Sequence, residues 1–158
     1  MKKLICILMI AACFFCLTAC GGDGGEGKAA APDMEKVYAA MEDKLPVMAP
    51  FSPEAVLNYY GIESADCKQM VVSSYYDGAD TAEIWLVEAV DAATAKEIEE
   101  LAQTRLDSMK EQFQSYDPEA YAVVKEAQLI AHGNCVALIA GENSDDLVQI
   151  YKDAANLK

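Results

Sequence analysis

The chain has 158 residues, 53% hydrophobic and 24% charged, a globular balance rather than a disordered one. Its 26 acidic and 12 basic side chains give a formal charge of −14, which argues against nucleic acid and against adhesion to anionic headgroups. Such an exterior keeps a globular domain soluble, and it is also compatible with cationic partners.

Lys2 and Lys3 lead into an uncharged apolar run, Leu4 to Leu17, which ends in Leu17-Thr18-Ala19-Cys20. A basic start, an apolar stretch and small residues before a cysteine form the layout of a bacterial lipoprotein signal. The run is shorter than the ~20 residues a membrane-spanning helix needs. The expectation is that residues 1–19 are removed as signal peptide, with Leu17, Thr18 and Ala19 as the lipobox and Cys20 as the lipidation site. Two acyl chains on Cys20 would suffice for stable attachment at the outer face of the cell membrane. Loss of Lys2 and Lys3 would leave 10 basic against 26 acidic side chains, a charge of −16.

Residues 20–32 read as the lipidated cysteine and a tether. Gly21 to Ala31 (GGDGGEGKAAA) is Gly-rich and polar, with ~15–20 Å of reach as a random coil. Residues 33–158 are long enough for one domain with its own core. Of six cysteines, Cys6, Cys13 and Cys16 leave with the signal and Cys20 is the lipid site, so Cys67 and Cys135 remain. Export permits one disulfide between them. Both also sit beside strand edges, where cysteine serves equally well as a small apolar filler.

Asp33 caps a predicted helix from Met34 to about Leu45, with Val37, Met41, Leu45 and Met48 on one face. Ser52-Pro53 starts a second helix, and Gly61 ends it. Lys68–Tyr76 and Thr81–Val90 read as paired strands around the turn 77–80. The second strand is apolar on both sides, as in a central strand covered on at least part of each face. Asp91 caps a helix from Ala92 to Tyr116, whose stripe is Ala95, Ile98, Ala102, Leu106, Met109, Phe113 and Tyr116. Asp117-Pro118 starts a short helix to about Glu126. Ala127–His132 and Cys135–Ala140 form a hairpin about Gly133-Asn134. A last helix, capped by Asn143 or Ser144, places Leu147, Ile150, Tyr151, Ala154 and Leu157 on one side. This order predicts an α+β fold, a mainly antiparallel sheet of about four strands in two hairpins, with the long amphipathic helix and flanking helices packed on one face.

No nucleotide-binding glycine loop, nucleophile elbow or metal-ligand spacing is present, so no catalytic residue, metal or cofactor is predicted. His132, the only histidine, reads as a solvated turn residue without a nucleophile beside it. The oxygen-rich stretches 77–80 and 142–146 lack the ligand order of a calcium loop and read as turn and cap chemistry. Glu83 heads an apolar strand; pointing inward it would need a partner, whereas the strand end favours a hydrated carboxylate. Tyr59, Tyr60, Tyr75, Tyr76, Tyr116, Tyr121 and Trp85 could line a groove for sugar or peptide, or be ordinary core-edge residues.

The stretch Tyr116-Asp117-Pro118-Glu119-Ala120-Tyr121, then Val124-Lys125 and the Gly133-Asn134 turn, carries a resemblance. With Tyr59-Tyr60-Gly61-Ile62 and Ala82-Glu83-Ile84, it resembles the "domain of unknown function 4358" lipoproteins of Gram-positive-type bacteria, over roughly Met34 to Ile150. The resemblance implies an exported, lipid-anchored domain and transfers no catalytic residue. The expected role is therefore non-enzymatic: a lipoprotein that binds a protein or small molecule, or supports an envelope assembly. The alternatives are a solute- or peptide-binding lipoprotein serving a transporter, and an envelope enzyme acting through carboxylates such as Glu83 and Asp117.

Overall fold

The structure is a computed structural model that describes residues 31–158. The proposed signal, the lipobox Leu17, Thr18 and Ala19, the lipidation site Cys20 and all but the end of the tether lie outside the described residues. Five α-helices, α1 (Met34–Met41), α2 (Pro53–Tyr60), α3 (Ala92–Tyr116), α4 (Pro118–Val124) and α5 (Ser144–Ala155), surround one sheet of four strands. The strands are β1 (Cys67–Tyr75), β2 (Ala82–Ala89), β3 (Gln128–His132) and β4 (Cys135–Ala140), in the order β1-β2-β4-β3, and every pairing is antiparallel.

Local chemistry sets most boundaries. Asp33, Ser52, Asp91 and Asp117 each cap the helix that follows, their side chains accepting from backbone N–H groups of the first turn. Pro53 and Pro118 occupy first-turn positions, where their missing N–H costs nothing. Gly61 ends α2 in the left-handed region at φ +75°. The first helix is shorter than its periodicity suggests: it tightens at Glu42–Lys44 into a 3-10 turn ahead of Pro46.

The sheet is covered on both faces, which corrects the expected one-sided packing. Val72, Trp85, Val87, Val136 and Leu138 point to α2, α3 and α4, while Val71, Ile84, Leu86, Ala137 and Ile139 point to α1 and α5. The alternation along β2 and β4 sends apolar residues to both sides, and the central strands leave neither set in water. Along α3 the predicted stripe is buried from Ala95 to Phe113, while Tyr116, in its last turn, is 77% exposed. On α5 the buried face is Leu147, Val148, Tyr151 and Ala155, rotated slightly from the predicted one.

The same alternation separates the two remaining cysteines. Cys67 packs at the border of the Trp85 face, and Cys135 is buried on the Ile84 face, with β2 lying between their strands. Two strand spacings, ~10 Å, and opposite faces put them beyond the reach of a disulfide. Both are thiols. Burial pushes the Cys67 thiol up to about 11, which keeps it protonated and unreactive at neutral pH.

Candidate functional site

The register defines two ends of the sheet. One end holds Cys67, Ala89, Cys135 and His132; the far end holds Tyr75, Ala82, Ala140 and Gln128. The chain arrives at the first end, where Gln69 fastens it. The Gln69 amide donates to the Pro32 carbonyl at 3.1 Å and to Glu88 at 2.8 Å, and its oxygen accepts from the Met34 N–H at 3.0 Å.

The far end carries two cavities. The first, of about 590 Å³, lies where α4, the turn before β2 and the N-terminus of α5 meet. Its wall includes Glu119 of α4, Glu126 just after that helix, Glu142, and Asp145 and Asp146 of α5. The second, of about 480 Å³, shares Glu142 and Asn143 with the first and adds Asp43, Lys44, Tyr75 and Asp80. Gly141 makes the close corner between β4 and α5: a Cβ there would lie 2.9 Å from Leu147 Cδ1. Lys44 pairs with Asp146 at 2.8 Å, Lys125 approaches Glu126 at 3.7 Å, and Gln128 donates to Asp145 at 3.2 Å. Excess carboxylate around a concave wall concentrates cations. The two oxygen-rich stretches singled out in the sequence thus meet at one end of the molecule. Among the described residues, no three acidic, histidine or cysteine side chains stand close enough to share a metal ion.

Glu83 is not hydrated at a strand end. It points into the Trp85 face, 2% exposed, and both oxygens are engaged. Arg105 of α3 donates from Nε to Oε1 and Oε2 at 2.9 and 3.1 Å and from Nη2 to Oε2 at 2.6 Å, and Trp85 Nε1 donates to Oε1 at 2.9 Å. The carboxylate holds the Arg105 guanidinium above its usual range, and the ring of Tyr60 lies 5.8 Å from it. A carboxylate so occupied tethers α3 to β2 and has no lone pair turned toward a substrate. The sequence signal for this pairing was an acid in an apolar strand; its basic partner, 22 residues on in α3, could be assigned only from the fold.

Asp117 is likewise committed. It accepts from the N–H groups of Glu119 and Ala120 and from the Tyr76 hydroxyl at 2.7 Å, and these bonds hold its carboxyl below the usual range. Glu83 and Asp117 therefore do not converge on a cleft. The aromatics do not gather into one groove either. Trp85 is fully buried, Tyr60 packs against it with ring centroids 4.7 Å apart, Tyr76 stacks on Phe113, and Tyr59 and Tyr116 face solvent. Tyr75 borders the second cavity, and Tyr121 packs at the edge of the core. His132 is half-buried rather than solvated, its Nε2 2.9 Å from the hydroxyl of the fully buried Tyr151, and burial lowers its pKa.

Fold and surface define a small α+β domain with an acidic, concave end and its incoming chain fixed at the opposite end. The chain belongs to the family described as "Domain of unknown function (DUF4358)", whose model matches residues 41–141. No curated protein and no solved structure matches it. The matched span runs from the end of α1 to the residue after β4, so it takes in the whole sheet, and α5 follows it.

Proposed function

We propose that this protein is an exported lipoprotein, held at the outer face of the cell membrane through acylated Cys20, whose domain is a non-enzymatic binding module of the envelope. The supporting observation is an opposition of ends: the chain from Cys20 is fastened beside Gln69, and the acidic cavity opens at the other end of the sheet. A tether of ~15–20 Å reach keeps the fastened end nearer the bilayer and leaves the cavity facing outward. Repulsion between the acidic end and anionic headgroups acts in the same direction. The carboxylates weighed for catalysis, Glu83 and Asp117, are occupied by structural hydrogen bonds, which favours binding over chemistry.

The test is mass spectrometry of the protein extracted from membranes, together with fractionation of a Cys20→Ala variant. The expected N-terminal peptide begins at Cys20 and carries acyl chains, and the variant moves out of the membrane fraction. An intact, unacylated N-terminus would refute the anchor. A second reading, a small-molecule receptor serving a transporter, is favoured by one feature: 590 Å³ lies within the ~300–1,000 Å³ of small-ligand sites. A thermal-shift screen of amino acids, sugars and short peptides separates the two, because a ligand at 100 times its Kd adds ~2.7 kcal/mol.

A further inference from the structure

Deepening that binding reading, we infer that the 590 Å³ cavity takes a basic peptide segment, its lysine or arginine side chains on the carboxylates and its backbone carbonyls on α5. The acidic wall supplies one half of the match. Glu119 and Glu142 are exposed on it, and the lysines close by, Lys44 and Lys125, are already paired with Asp146 and Glu126. The carboxylates are spread around the wall, and no three of them can close on one ion, so an extended cation with several charged groups fits better than a metal.

The other half is a set of unused donors. Asn143 stands at the N-cap of α5 without a side-chain cap bond. The first helical bond is Leu147 N–H to Asn143 C=O, so the N–H groups of Ser144, Asp145 and Asp146 have no acceptor within the helix. Ser144 is 6% exposed, borders the cavity, and its hydroxyl has no partner among the described residues. Ser73, the other buried serine, differs: its unpartnered hydroxyl is sealed from solvent and leads to no ligand. Donors beside carboxylates call for a ligand with both acceptors and positive charge. A peptide has both; a polyamine has only donors. The donors also disfavour a bare cation directly on the helix end, because the helix presents partial positive charge there.

The experiment uses the full-length lipoprotein in detergent micelles and isothermal titration at about 0.15 M salt. The probes are N-acetyl-tetralysine amide, spermine of equal charge, and calcium. The peptide should bind at least about tenfold more tightly than spermine, since it adds hydrogen bonds to the shared charge. Ser144→Ala should weaken the peptide and leave spermine unchanged, and Glu119→Gln with Glu142→Gln should weaken both. A control pair, Glu97→Gln with Glu100→Gln on the exposed side of α3, removes the same charge and should change neither. Equal binding of spermine, calcium binding abolished by Glu119→Gln, or an equal loss in the control pair would each overturn the inference. Cys20 acylation is read by mass on the same preparation. Failed peptide binding on acylated protein therefore refutes the ligand alone, and an unacylated protein that binds refutes the anchor alone.

Discussion

Glu83 is the residue whose burial demands most, and its pairing is lopsided. The carboxylate is 2% exposed, whereas the Arg105 side chain keeps 34% of its surface in contact with solvent. Removing the arginine strands a charge in the core; removing the acid leaves a cation that water can still reach. Arg105→Leu should therefore cost more than Glu83→Gln, of the order of 3–5 kcal/mol for the former. Urea denaturation of the two variants checks the order, and an equal loss would mean that the indole bond from Trp85 holds the carboxylate by itself. His132 offers a second residue-scale prediction. Burial lowers its folded pKa below the ordinary 6.5, so the unfolded chain binds the proton more readily. Stability is then full above 6.5 and falls as pH drops through the lowered folded value. Thermal melts should show a lower midpoint at pH 5.5 than at 7.5, and a smaller difference in His132→Gln. An unchanged difference in that variant would exclude His132 as the source.

At the scale of elements, short helices depend on their ends. The seven residues of α4 are too few to persist by propensity, and Asp117 supplies two backbone acceptor bonds at its start. The hydroxyl of Tyr76, the residue after β1, donates to the same carboxylate, so the cap also docks the helix. Asp117→Ala should cost ~1–2 kcal/mol in denaturant unfolding, at the upper end for a cap. Asp117→Asn should keep most of that stability, since its amide oxygen can still accept, and a loss equal to that of alanine would assign the effect to charge. The contrast with α5 is physical: α4 spends its N-cap side chain on its own backbone, and α5 leaves its first N–H groups open on a cavity.

For the whole molecule, the two-sided cover decides what the surface can do. With α2, α3 and α4 on one face and α1 and α5 on the other, neither face of the central strands is left for a partner, and the ends of the sheet carry the recognisable features. Gln69 and Pro32 mark one end, and the acidic cavity marks the other. Because both cores lie within residues 31–158, the domain should not need the proposed anchor to fold. The Cys20→Ala protein should melt at the midpoint of the wild type. A markedly lower midpoint would show that the N-terminal end contributes to the fold.

The sequence by itself determined the elements, because caps, prolines and apolar periodicity act within a few residues of one another. The Asp33, Ser52, Asp91 and Asp117 caps, the full extent of α3 and the β3–β4 turn were legible for that reason, as was membership of the family. Only the tertiary structure decided which elements became neighbours. That choice put Arg105 on Glu83, His132 on Tyr151, and Cys67 and Cys135 on opposite faces of the sheet. It also gathered acids more than twenty residues apart, Glu119 and Glu142, around one cavity. Such pairings depend on strand order and on which face each helix covers, and local periodicity carries neither: an apolar stripe buries equally well against either side of a central strand.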